Sequence, residues 1–369
     1  EIHERLVGSE MCIRDRFIIS VNNRSRIEWI DTLRGIMMFF VVWGHSLSDQ
    51  YIGKYIFSFH MPAFFIISGM TFVFNKETNF FRYAFKKIKG LIIPYFCLNA
   101  LVAPLWYVNR QLSEVSYQSF TDLFKGVLVS NVESGFKMAS NTTWFITCLF
   151  LTDILFFVIS RASDKDSALI GISAFVYGLA FTAGIITDKQ WGVWHWQVAF
   201  SAFVFYLGGY LLMKNIEAVK ACFKKTWIIF AVSEALLLLG AWASSENSRI
   251  SMVNNRYGKP VIFFFSAFCT SLSFALAVMK LSDYKLFSKA AWIFNYVGRN
   301  TLVYIAFHVP IIRFIQHFIP ALKSKNDVYR FIMAAAVFII ILPLAWLTEK
   351  YFPVCVGKKK KILEKDLTK

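Results

Sequence analysis

Three ionisable side chains stand inside the first strongly apolar stretch of this chain, where charge is costly and a polar group is the first place to look for function. The first stretch reads Trp29-Ile30-Asp31-Thr32-Leu33-Arg34-Gly35-Ile36 and continues through Phe39-Phe40-Val41-Val42-Trp43-Gly44-His45. Arg34 and His45 are eleven residues apart, which is about three helical turns, so on a helix they share one face about 16 Å apart along the axis. Asp31, one turn before Arg34, joins the same stripe. An acid and a base near one end with an imidazole near the other would line a path for a long charged ligand. Histidine is the side chain that exchanges protons near neutral pH, which makes His45 the reactive candidate of the stripe. The competing reading is an Asp31–Arg34 ion pair at the membrane boundary with His45 reaching for the opposite headgroups.

A second stretch, Phe57-Ser58-Phe59-His60-Met61-Pro62-Ala63-Phe64-Phe65 to Ser68-Gly69, follows after a turn of about six residues, so the two segments should be antiparallel neighbours with His45 and His60 at similar depth. Pro62 can bend that helix, and Ser68-Gly69 allows a backbone or ligand to approach closely. Two facing histidines would suit a metal, but no carboxylate or third ligand stands at a matching spacing, and no metal is expected.

What must position these residues is a membrane domain. Of 369 residues 57% are hydrophobic and 18% aromatic, with a mean hydropathy of +0.51, more apolar than one soluble core can hide. The expected fold is all-α, with about ten transmembrane helices near 29–48, 55–74, 90–110, 142–160, 167–187, 196–213, 227–244, 260–280, 298–318 and 329–352. The net charge of +17 comes from basic clusters between apolar segments, such as Lys86-Lys87-Ile88-Lys89 and Lys358 to Lys361. That is the pattern of loops beside anionic lipid, so the bilayer is the expected partner and nucleic acid is not. Lys and Arg are about twice as frequent on one side as on the other, which puts both termini in the cytoplasm of a multi-pass plasma (inner) membrane protein.

Six scattered cysteines form neither a disulfide framework nor a zinc site. Residues 1–16 are polar, resemble translated adapter sequence and are set aside as a non-native or disordered leader, so the natural chain is expected to start near Phe17. Residues 17–357 then form one transmembrane domain, followed by a basic cytoplasmic tail at 358–369. The loop at 111–141 reads either as a lid or as a solvated connector. Oligomeric state is not legible.

Several strings in order resemble the acyltransferase-3 family of membrane acyltransferases. They are Asp31-x-Leu33-Arg34-Gly35 with His45, then Phe59-His60-Met61-Pro62-x-Phe64-Phe65-x-x-Ser68-Gly69, then Lys86-x-x-Lys89 with Pro94-Tyr95. Trp144-Phe145, Tyr206-Leu207-Gly208-Gly209-Tyr210 and Gly298-Arg299-Asn300-Thr301-Leu302-x-Tyr304 ending at His308 follow. The FHMP string looks like the fucose 4-O-acetyltransferase-like branch. The resemblance implies transfer of an acetyl or similar group from acyl-coenzyme A to a hydroxyl of a carbohydrate, in a surface polysaccharide or lipid-linked glycan.

On that resemblance His45 and Arg34 are the catalytic candidates. A neutral His45 either takes the acceptor hydroxyl's proton, which contributes about 10²–10⁴ in rate, or carries the acyl group covalently. Arg34 would hold phosphate or polarise the thioester, with Asp31, His60 and Ser68 in support. Lys86, Lys87 and Lys89 stand where coenzyme A phosphates would arrive, although the family often has arginine there and lysine lacks its bidentate fork. Trp144 is the acceptor-side candidate, against its reading as an ordinary interfacial Trp. His308-Val309-Pro310 reads either as a site element or as a kink, and Asn141 or Thr142 as a helix cap. The rival functions are a secondary transporter, which intramembrane His and Arg also suit, and a non-catalytic membrane protein handling glycan intermediates.

Overall fold

The structure is a computed structural model that describes residues 27–47, 51–112, 119–130, 138–163, 165–186, 192–223, 225–323 and 326–358. The expected leader at 1–16, positions 113–118 and 131–137 of the polar loop and the tail beyond 358 lie outside the described residues. Among the described residues the chain is all-α, with a lone bridge between Ser251 and Arg256 and no strand. In lipid each backbone N–H and C=O must be satisfied within its own segment, and helices do this.

The helices are α1 (Glu28–Ser46), α2 (Tyr51–Phe72), α3 (Phe80–Lys87), α4 (Ile93–Leu112), α5 (Phe120–Val129), α6 (Trp144–Ile159), α7 (Asp166–Ile186) and α8 (Trp196–Lys214). Then come α9 (Ile216–Cys222), α10 (Thr226–Ser245), α11 (Pro260–Leu281), α12 (Lys285–Ala290), α13 (Trp292–Arg299), α14 (Thr301–Phe318) and α15 (Asp327–Tyr351). Eight described helical stretches are long and apolar enough to cross a membrane. All ten segments read from the sequence are helical, but α1 and α7 are not among those eight. Asp31, Arg34 and His45 dilute the apolar character of α1, and α7 is apolar over the shorter stretch Asp166–Leu179.

Three boundaries differ from the sequence reading. The third span begins ten residues early, because α3 continues through a π-helical turn (Ile88–Ile92) into α4. The 111–141 loop contains α5, opened by a capping box in which the Ser119 side chain accepts from the Asp122 N–H and the Asp122 side chain returns to the Ser119 N–H. The expected side-chain cap at Asn141 or Thr142 is not made: Thr142 Oγ1 donates instead to the Ile305 carbonyl of α14 (2.6 Å), and α6 is entered through a 3₁₀ turn.

The core forms where α2 packs on α8, α1 on α13, and α11 on both α2 and α10. Two of these crossings bring backbones into contact. A Cβ on Gly35 would lie 1.9 Å from the Phe294 carbonyl oxygen of α13, and one on Gly298 1.8 Å from that of Asp31 in α1. In the α2/α8 crossing a Cβ on Gly69 would meet the Tyr206 oxygen at 1.9 Å, and one on Gly209 the Ile66 oxygen at 1.9 Å. Each crossing is thus a reciprocal pair, with a glycine on each helix under the carbonyl of the other. With no hydrophobic drive between helices in lipid, close backbone packing of this kind holds a bundle together.

Candidate functional site

The α1 stripe is assembled as its spacing dictates. At its first end Arg34 Nη1 donates to Asp31 Oδ1 (3.1 Å), one turn away. Asp31 is buried, and its other oxygen faces Arg299 Nε of α13 at 3.5 Å. The Gly35/Gly298 contact explains this: with α13 against the α1 backbone, Arg299 arrives beside Asp31. Arg34 keeps about a fifth of its side chain exposed (20%) beside a nearly buried acid (4%). At the other end Arg330 of α15 donates from Nη1 to the Ser46 carbonyl (2.7 Å), closing the last turn of α1 with a cation where the helix dipole favours one.

His45 sits at this second end, half-buried, in a cluster of three imidazoles. Its ring centroid is 6.4 Å from that of His60 and 5.0 Å from that of His308. Phe57 packs edge-on against His45 (5.6 Å) and His60 (4.9 Å), and the Arg249 guanidinium lies 4.5 Å over the Phe57 ring. His60 is buried and donates from Nδ1 to the Ile56 carbonyl (2.7 Å), the acceptor one turn back on its own helix. His308 is fully buried and is fixed in the same way, with Nδ1 donating to the Tyr304 carbonyl (2.6 Å). Among the described residues no group of three or more His, Cys, Asp or Glu side chains is arranged to hold a metal ion.

His45 and His308 open on a small cavity, whose walls include Val41, Met61, Phe64, Thr142 and Trp144. Trp144, 6% exposed, is therefore a wall of the cavity beside the histidines and not an interfacial Trp in open contact with headgroups. Behind it lies buried His195, ring centroids 5.1 Å apart. Trp194 and His195 both adopt the left-handed region (φ 58° and 54°), a strained pair for residues with side chains, at the entrance to α8.

The remaining candidates fall elsewhere. Ser68 donates to the Phe64 carbonyl of its own helix (2.8 Å) and is not brought into the cavity. Lys86 and Lys89 are exposed at the junction of α3 with the π-helical turn, and Lys89 lies over the Phe85 ring (4.2 Å). Lys87 is different: its Nζ reaches buried Asp153 of α6 (2.7 Å), which also accepts from the hydroxyls of Tyr83 and Tyr206. Removing one partner of such a pair leaves an uncompensated buried charge, at a cost of about 3–5 kcal/mol. Lys87→Met is accordingly expected to lower the melting temperature in detergent, whereas Lys86→Ala and Lys89→Ala leave it unchanged. Equal behaviour of the three variants would refute this division.

Sequence reasoning missed Asp153, although an acid in the middle of the apolar run Phe150 to Phe157 is as visible a signal as His45. It also left His308 undecided between site and kink, and the structure brings it to the cavity. Asp31 and Arg34 do pair, and both readings of them are compatible with the geometry.

The family model described as an acyltransferase domain matches residues 27–350, which takes in α1, the histidine cluster, the basic turn and most of α15. No curated protein matches the chain.

Proposed function

Since the chain belongs to the acyltransferase-3 family, and is thus a membrane acyltransferase, we propose that it moves an acetyl or similar acyl group from acyl-coenzyme A to a carbohydrate hydroxyl, as in the fucose 4-O-acetyltransferase-like branch. The acceptor would be a surface polysaccharide or lipid-linked glycan. The observation that carries this reading is the cavity shared by His45, His308 and Trp144. His45 sits on the same helix as Arg34 and about 16 Å from it along the axis. A donor with a long phosphorylated arm and a small reactive end fits that layout: the arm at Arg34, Lys86 and Lys89, the acyl group at His45. Asp31 holds Arg34 in place, Lys87 acts through Asp153, and the Trp144 indole offers a broad apolar wall to an acceptor. In this reading residues 17–357 form the catalytic domain of a plasma (inner) membrane protein with both termini cytoplasmic.

The overall step is attack of the acceptor hydroxyl oxygen on the acyl carbon, with coenzyme A leaving as its thiol. It proceeds directly or through an acyl group held on His45. The test is incubation of membranes containing the protein with acetyl-coenzyme A labelled in the acetyl group. The label should enter the glycan fraction with release of one thiol per acetyl transferred. Accumulation of unmodified glycan across the membrane without thiol release would instead establish a transporter.

A further inference from the structure

We propose that His308, on α14, is the proton acceptor of the reaction, working as one half of a two-histidine site with His45. The inference rests on the acyltransferase reading above. Its first support is the ring's fixed orientation. Because Nδ1–H is committed to the Tyr304 carbonyl at 2.6 Å, a neutral His308 carries its free lone pair on Nε2. That carbonyl is itself placed by tertiary contacts, since the Tyr304 hydroxyl donates to the Phe338 carbonyl of α15 (2.9 Å). The second support is that Nε2 is buried and has no hydrogen-bond partner among the described residues, while the ring lines the cavity beside His45. A buried polar atom without a partner is costly and calls for an explanation, and a hydroxyl group entering the cavity would supply the missing hydrogen bond.

The third support is elimination within the cavity. Thr142 is the hydroxyl on its wall, and its proton is already given to the Ile305 carbonyl (2.6 Å) while Ser140 Oγ donates to it (2.8 Å). Trp144 offers only an N–H donor. His45 has ring contacts but no hydrogen bond to any described residue that would fix its tautomer. A general base is recognised by an orienting partner on its far nitrogen, and of the two cavity histidines His308 has one.

The chemistry balances in either route. The acceptor oxygen bonds to the acyl carbon, and the bond from that carbon to its leaving atom breaks. The leaving atom is the thioester sulfur in direct transfer, or the His45 nitrogen if the acyl group is carried there. The hydroxyl proton passes to Nε2 of His308 and then to that leaving atom, so both histidines end neutral.

The test compares wild type, His308→Asn and His308→Gln in membranes with labelled acetyl-coenzyme A, using endogenous glycan as one acceptor and hydroxylamine as the other. Asparagine keeps a donor for the Tyr304 carbonyl and lacks the outer nitrogen, while glutamine keeps a polar group near the outer position. Hydroxylamine attacks an acyl carbon without prior loss of a proton. Transfer to glycan is expected to fall about 10²–10⁴-fold in both variants, while acetylhydroxamate formation stays within about threefold of wild type. Loss of both reactions together would assign His308 a structural role and overturn the inference. Undiminished glycan transfer would overturn it too. If wild type transfers acetyl to neither acceptor, the donor assignment falls instead, which separates the two failures.

Discussion

Replacing His45 with alanine is expected to lower acetyl transfer from acetyl-coenzyme A by about 10²–10⁴-fold, the order of effect of one positioned catalytic imidazole, here the partner of His308 in the two-histidine site. If the acyl group rests covalently on His45, the loss is larger still, because the intermediate cannot form. The protein should otherwise be little disturbed. His45 contributes ring contacts with Phe57, His60 and His308 and makes no hydrogen bond to any described residue, so truncation orphans no buried partner. The end of α1 is held instead by Arg330 on the Ser46 carbonyl, which the substitution leaves intact. Measured thiol release, yield after solubilisation and melting temperature together make the check. Activity within tenfold of wild type in a well-folded His45→Ala protein would remove His45 from the chemistry.

The second large effect concerns assembly. Gly298→Val and Gly209→Val are each expected to abolish accumulation of folded protein, because the new Cβ would fall 1.8 and 1.9 Å from the Asp31 and Ile66 carbonyl oxygens. A flexible side chain in the way could turn aside at a cost of about 1–3 kcal/mol, the usual overpacking penalty. Here the obstacle is backbone, so a whole helix must retreat and the reciprocal glycine contact opens with it. Gly171→Val is the matched control, since a Cβ there meets nothing within 4 Å. Monodisperse protein at wild-type yield from Gly298→Val and Gly209→Val would show that these crossings are looser than described.

Much of the fold was legible because lipid imposes one rule, an apolar helix about 20 residues long, and hydropathy reads that rule directly. The α1 stripe was legible for the same reason: a period of 3.6 residues fixes which side chains share a face. Contacts between distant helices were not. Nothing in the local sequence of α14 says that His308 meets His45, because 263 residues separate them and only the packing of α14 on α1 joins them. Asp153 was legible as a misplaced charge, but its partners Lys87, Tyr83 and Tyr206 come from two other helices. The α5 capping box is readable as Ser119 followed three residues on by Asp122, but it lies in a polar stretch where hydropathy marks no helix.

The reciprocal glycine contacts bear on how relatives of this chain should be sorted. Gly35, Gly69, Gly209 and Gly298 stand in the strings by which the chain resembles the acyltransferase-3 family, yet what they do is let main chains touch. A descendant that kept all four and exchanged both cavity imidazoles for inert residues would build the same bundle and still score as a full member. Pseudoenzymes should therefore hide among such sequences, and the side chains at the positions of His45 and His308, taken as a pair, are the place to look for them.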